Sequence, residues 1–348
     1  MNRNLLAFRC IACVVGLAGL TKGSLAAPVT AEEILANFPG SVKETVDRGD
    51  IVSIARSEQE VDPSGLVISL AIKVPAPLAE TTAKLRTLST SKDPNEKIVL
   101  REIRAAPNGK ELAAAFADLA FSDAEQKELN LLLGAGPGDE FNLSTEEIGW
   151  FNQAAALFKP GATPTPALAE AMAATYRRVL ASRYAAYRTG GLDGIAPYAR
   201  KKGAATSPGK ELISTTETMG LLRTKHPELY QAVRNYPAKG DYVQHRYFWV
   251  KSTVEGRPLF ALKHEMARVE PDFVYIVDRH YYMSQTLNAL QVAIVCLPYQ
   301  GGTLVGLVNQ SFVDKVGGSS IGRRIGRRIV ESETKPLFER LKAAFPKR

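Results

Sequence analysis

Three of the chain's four histidines, His245, His264 and His280, lie at short intervals in its last third, each in a run of alternating apolar residues. Imidazole titrates near neutrality, so a trio on neighbouring strands could bind metal, move protons or orient the polar end of a bound molecule. If the turns between the runs are centred near Glu255-Gly256 and Pro271, antiparallel register puts all three on one face with Asp278. That face also carries Val243, Tyr247, Trp249, Phe260, Leu262, Met266, Ile276 and Tyr282, so it is mostly apolar with isolated polar groups. Arg279 falls on the opposite face. A metal would need ligands converging within about 2.1 Å, which diagonals across adjacent strands seldom provide, so no metal is expected. His264 or His280 could act as a general acid or base in a water-poor pocket, but no nucleophile or oxyanion partner accompanies either. Each imidazole taken singly can also be a core histidine satisfied by a tyrosine, an aspartate or the main chain.

Other fragments of catalytic motifs are incomplete. His264-Glu265 lacks the second histidine of a zinc-protease helix and sits in a strand pattern. Ser64, Ser122 and Ser144 occupy turn or capping positions, and Cys296 lies between Val295 and Leu297, where burial makes a thiol inert. Gly134-Ala135-Gly136-Pro137-Gly138 has no Lys-Ser/Thr after it and reads as a turn. No catalytic residue is assigned and no cofactor is expected.

The elements that must hold the histidines are legible. Asp241–Lys251, Arg257–Val269, Phe273–Met283, Leu287–Leu297 and Thr303–Val313 are rich in Val, Ile, Leu, Tyr and Phe and are separated by short turn sequences, which predicts an antiparallel meander. One face of such a sheet needs a cover. Ser320–Phe345 supplies it: Ile321, Ile325, Ile329, Phe338, Leu341 and Phe345 recur mostly at helical spacing, with Pro336 expected to kink or split the helix. Upstream, Gly49–Gln59 and Leu66–Val74 read as a strand pair, Val74-Pro75-Ala76-Pro77 as a break into a helix ending near Leu88, and Lys97–Arg104 as another strand. From about 110 to 237 the pattern is helical, with capping boxes at Ser122 and Ser144, a shorter one at Thr30 before it, and an Ala-rich helix from Thr165-Pro166 to Gly190-Gly191. Ala196–Lys210, small and basic, reads as a mobile stretch.

At the amino end, Arg3 and Arg9 precede an apolar run from Cys10 to Leu20, and Ser24-Leu25-Ala26 then meets Ala27-Pro28, the layout of a signal peptide cleaved after Ala26. The apolar run is short of the roughly 20 residues a spanning helix needs. Export in this form leaves Cys296 alone, with no internal disulfide, in a periplasmic or secreted protein. The net charge of +8 is concentrated at the carboxyl end, where residues 317–348 hold nine Lys or Arg and three Glu. Arg323, Arg324, Arg327 and Arg328 flank the Ile stripe and suit an anionic membrane surface, while export makes nucleic acid a poor partner. A basic helix is more often simply a solvated outer face.

The early strand breaking at Val74-Pro75-Ala76-Pro77 into a helix, the strands from Asp241 to Val313 and the closing helix together resemble the START-like, or helix-grip, superfamily. The chain is also similar to uncharacterised secreted bacterial proteins that share the Phe248-Trp249-Val250-Lys251 strand, the His264 strand and a Thr303–Asn309 strand before a basic helix. The resemblance implies an α+β fold: a curved antiparallel sheet gripping a long C-terminal helix, in a single domain from 27 to 348 with a helical insertion as a departure. It also implies a hydrophobic cavity, used by some members to move lipids and by others for cyclisation or hydrolysis. The leading expectation is therefore an exported protein that binds a lipid or other apolar small molecule between sheet and C-terminal helix. His245, His264, Asp278 and His280 would orient a polar head, and Tyr247, Trp249, Leu262, Met266, Ile276 and Tyr282 would line the wall. Two alternatives stay open: an enzyme on the same scaffold using His264 or His280 as acid or base, and an envelope interaction protein acting through the basic helix.

Overall fold

Alternating apolar residues form strands here and 3.6-residue periodicity forms helices, as seen in a computed structural model. It describes residues 29–36, 38–55, 65–90, 99–138, 140–158, 165–237, 242–254, 256–314 and 320–346, and all their side chains but those at 55, 89–90, 320–329 and 332–333. The proposed signal segment lies outside the described residues, as do the side chains of Arg323, Arg324, Arg327 and Arg328.

Helices α1 (Ala31–Leu35) and α2 (Val42–Asp47) precede strands β1 (Val52–Ala55) and β2 (Gly65–Val74), helix α3 (Leu78–Thr90) and strand β3 (Val99–Glu102). The middle holds α4 (Gln126–Leu132), α5 (Thr145–Ala155), α6 (Pro166–Gly190), the small pair β4 (Tyr198–Ala199) and β5 (Ala205–Thr206), α7 (Pro208–Glu217), α8 (Gly220–Lys225) and α9 (Pro227–Arg234). The meander β6 (Gln244–Val254), β7 (Arg257–Val269), β8 (Val274–Met283), β9 (Ala289–Tyr299) and β10 (Gly302–Phe312) leads into α10 (Ser320–Ala344). Thr30, Ser144 and Thr165 cap α1, α5 and α6 through their hydroxyls, as the capping pattern predicts.

The chain is α+β, and its described residues form one large antiparallel sheet of eight strands in the order β1-β2-β10-β9-β8-β7-β6-β3. Helices cover both faces. On one, α3 and α10 bury Ile68, Leu70, Ile276, Ile294, Val305, Phe338 and Leu341. On the other, α1 and α2 pack over Ala71, Val295 and Leu304, and the middle helices pack over Tyr247, Trp249, Phe260, Leu262 and Tyr282. The helical stretch thus shares its core with the sheet.

Two local expectations need correction. α10 runs through Pro336 without splitting. Pro336 is exposed, and Val330, Phe338 and Leu341 on the opposite side are buried; burying side chains of that size returns about 1.5–3 kcal/mol each, enough to offset the roughly 3 kcal/mol a helix-interior proline costs. The stretch from Ala196 to Lys210 is tied down by Arg200, which donates to Gly138 O (2.9 Å), Asn142 Oδ1 (2.8 Å), Asn288 Oδ1 (3.1 Å) and Asp314 Oδ2 (2.6 Å).

α6 ends where the backbone must turn against another segment. Gly191 has φ +59°, and a Cβ there would lie 1.8 Å from the Tyr236 carbonyl oxygen. Only glycine permits that approach, and the approach brings Tyr236 against the sheet at His264.

Candidate functional site

The meander register splits the predicted histidine face in two. Along β7 and β8 the pairs are His264↔Arg279, Glu265↔Asp278 and Lys263↔His280. His245, Tyr247, Trp249, Leu262, His264, Met266 and Tyr282 therefore face the middle helices, while Ile276, Asp278 and His280 face α3 and α10. The expected register needed a turn centred on Pro271. The observed turn closes Val269 onto Val274, half a residue further on, and a one-residue slip exchanges the faces of a strand. Arg279, assigned to the side away from His264, is directly opposite it. A bulge at Leu262/Lys263 then lets both Tyr281 and Tyr282 enter the core under the middle helices.

That correction exposes a row the strand patterns conceal. Gln310 on β10 pairs with Gln291 on β9, Gln291 with Arg279 on β8, Arg279 with His264 on β7, and His264 with Tyr247 on β6. Five consecutive strands place a polar side chain at one level of a buried face. The middle helices satisfy it: Gln310 donates to Thr218 Oγ1 (2.7 Å), Gln291 to Thr215 Oγ1 (2.6 Å), and Arg279 to Gln291 Oε1 (2.7 Å), Val233 O (2.9 Å) and Tyr187 Oη (3.3 Å). Tyr187 Oη lies 2.7 Å from His264 Nδ1, His264 Nε2 lies 2.9 Å from His245 Nδ1, and Tyr236 Oη lies 2.7 Å from Tyr247 Oη. His264 is wholly buried and His245 is exposed. Burial, then the neighbouring His245, Arg279 and Arg188, hold His264 well below the usual imidazole range; burial and Arg188 lower His245. Burial pushes the Tyr247 hydroxyl up to about 12 and the Tyr187 hydroxyl higher still. Trp249 and Leu262 are fully packed, with Trp249 Nε1 donating to Ala115 O at 2.8 Å, so they form core there.

On the α10 face, Lys263 Nζ donates to Asp278 Oδ2 at 2.9 Å. Asp278 Oδ1, His280 Nδ1, Asn309 Oδ1 and Ser311 Oγ are buried without a hydrogen-bond partner among the described residues. Burial holds His280 down at about 4, against the raising effect of Asp278. Cys296 on the same face is buried, which pushes its thiol up to about 12 and keeps it inert at neutral pH. No group of three or more His, Cys, Asp or Glu suited to a metal ion occurs among the described residues.

A cavity of about 260 Å³ opens on the face away from α10, between β2, β9 and β10 on one side and α1 and α8 on the other. Its walls are Val29, Ile34, Phe38, Met219, Leu221, Leu222, Ala293, Val295 and Val308. Ser69 and His226 border it, and their Oγ and Nε2 atoms are buried with no hydrogen-bond partner among the described residues. The cavity was expected between the sheet and the C-terminal helix; this one lies on the other side of the sheet and is walled by none of the residues predicted to line it. Sequence reasoning also missed Tyr187, Arg188, Tyr236, Arg279, Gln291 and Gln310. The usable signal was an arginine and two glutamines at inward-facing positions of otherwise apolar strands.

No protein-family model matches the chain, and no curated protein matches it in sequence. Among solved structures it is similar to the di-domain aromatase/cyclase StfQ from the steffimycin biosynthetic pathway, with 12% identity over 80% of this chain and 97% of that one and a TM-score of 0.24. A likeness of that size carries no functional argument, so function is read from the chain's own geometry. Among the described residues, no helix is long and apolar enough to cross a membrane.

Proposed function

We propose that this protein is an exported binding protein for a small apolar molecule, such as a single-chain lipid, that carries one hydrogen-bonding group. The observation that carries this reading is the apolar cavity of about 260 Å³ bordered by Ser69 and His226, whose buried Oγ and Nε2 have no partner among the described residues. Buried polar groups are otherwise almost always paired, so two such atoms bordering one apolar cavity are an address for a ligand's polar end. Burial of the remainder would supply binding energy at about 25 cal/mol per Å². The volume falls below the roughly 300–1,000 Å³ of drug-sized sites and suits a small guest.

Strand order supports reading the architecture as helix-grip: β2, which breaks at Pro75 into α3, lies beside β10, which leads into α10, and both helices share a face. A second seat for the same ligand class, beneath α10, is favoured by Asp278 Oδ1, His280 Nδ1, Asn309 Oδ1 and Ser311 Oγ, which have no partner among the described residues. The two seats are separable. Ala293 lines the first cavity and is only partly buried, so Ala293→Phe should fill it and weaken binding of the neutral dye phenylnaphthylamine at least about tenfold, a cost of roughly 1.4 kcal/mol. Asn309→Ala should leave that binding unchanged. The reverse pattern seats the guest beneath α10, and protein purified from its own host that is empty by native mass spectrometry and does not bind the dye would sink both.

A further inference from the structure

The polar row on the buried face ends at a rim that the apolar cavity does not use. We infer that His245 and Arg188 form a binding site for a small oxyanion, a carboxylate or a phosphate, and that the buried chain running back to Arg279 sets which proton His245 offers to it.

The proton order follows from donors and acceptors. Arg279 is wholly buried, and among the described residues no carboxylate pairs with it. A guanidinium can only donate, so at Tyr187 the oxygen accepts from Arg279 Nη1 and the Tyr187 proton must go elsewhere. The acceptor within reach is His264 Nδ1, at 2.7 Å. His264 then carries its own proton on Nε2 and donates it to His245 Nδ1, at 2.9 Å. His245, neutral, is left with its proton on Nε2, the nitrogen with no protein partner among the described residues. An exposed ring held this way presents a donor.

A second donor stands at the same rim. Arg188 donates to Tyr184 Oη and lies over the Tyr247 ring, 4.3 Å from its centroid, and among the described residues no carboxylate pairs with it. Tyr184 in turn donates to Ala105 O at 2.8 Å, so its oxygen is committed. The groups set against His245 are His264, its ring stacked at 5.0 Å between centroids, Tyr236 from beyond α9, at 5.5 Å, and Arg188 from α6, whose charge bears on it, with Arg279 behind His264. Two of them are cationic and none is a carboxylate. Arg188 lies over Tyr247, Tyr247 Oη is bonded to Tyr236 Oη, and the Tyr236 ring adjoins His245, so the guanidinium and the outward N–H border one tyrosine-lined rim; charge-assisted bonds from such donors to a carboxylate or phosphate are the strong kind. Burial and Arg188 both disfavour the charged form of His245, and an anion bound between them removes the second effect.

Long-range proton–nitrogen NMR of the histidine rings in the intact protein tests this without any substitution. His264 and His245 should both show the Nε2–H tautomer. Titration with inorganic phosphate and, separately, with acetate should shift the His245 signals saturably, on the order of millimolar, and raise its midpoint. A response to one anion alone supports the site and identifies the oxyanion it prefers. Arg188→Gln should weaken the response about tenfold, while Ala293→Phe should leave it intact, which separates this site from the apolar cavity. A His245 Nδ1–H tautomer, no saturable shift with either anion, or an undiminished response in Arg188→Gln would overturn the inference.

Discussion

Glu147→Ala is expected to destabilise the protein by about 3–5 kcal/mol, because it strips the counter-ion from a buried arginine. Glu147 Oε2 and Arg183 Nη2 are 2.6 Å apart, and both side chains are under 5% exposed. Burial pushes the Arg183 guanidinium down, but Glu147 together with Tyr198 and Tyr282 holds the group above its ordinary value, so it stays charged. Arg183 also donates to Ala196 O at 3.0 Å and lies over the Tyr282 ring, 4.5 Å from its centroid, which fixes α6 against the ordered stretch after it and against β8. The same carboxylate closes the cap of α5 by accepting from Ser144 N at 2.7 Å, so its removal also costs about 1 kcal/mol of capping. Urea unfolding should report the loss as a lower midpoint at constant slope. Glu147→Gln keeps the cap and should lose less, and Met at both 147 and 183 should recover much of the deficit, since an apolar pair leaves no buried charge. A deficit under about 1 kcal/mol for Glu147→Ala would mean that water reaches the pair.

The second large effect is acid sensitivity above the pH range of the carboxylates. All four histidines, His226, His245, His264 and His280, are held below the usual imidazole value in the folded chain, each chiefly by burial. The unfolded chain takes up protons at these positions near pH 6.5, and the folded chain resists until lower pH. Their contribution to stability is therefore fully present above about pH 6.5 and is lost as pH falls from there through the folded values, about 4 for His280. Each fully buried imidazole contributes up to about 1.4 kcal/mol per pH unit in that window; the exposed His245 contributes less. Between pH 7 and pH 5 the total loss should be on the order of 3 kcal/mol by urea unfolding. His280→Leu should flatten this slope. A flat profile from pH 7 to pH 5 would show that the imidazoles are solvated.

Strand and helix placement was legible because it depends on local alternation and capping. The runs around Trp249, His264, Tyr282, Cys296 and Leu307 each became one strand of the sheet, and Thr165-Pro166 opened the long helix as its capping pattern implies. Local chemistry also placed Cys296 in the core. The error at the histidines came from the turn around Pro271. Side chains alternate with a period of two, so a turn centred half a residue from the expected point moved Asp278 and His280 to the α10 face while His264 stayed beneath α6. Arg200 is another case: nothing near it in sequence signals that Asn142, Asn288 and Asp314 will converge on it.

Alternation, caps and turn residues, each a property of a few adjacent side chains, sufficed for an antiparallel meander closed by an amphipathic helix. Which face each polar residue reached, and what met it there, depended on contacts between residues far apart in the chain. Tyr187 reaches His264 because α6 crosses the meander there, and Ser69 borders an apolar cavity because residues of α1 and α8 come together with β2, β9 and β10 around it. Packing supplies such partners from a distance, and no local pattern of residues encodes that distance.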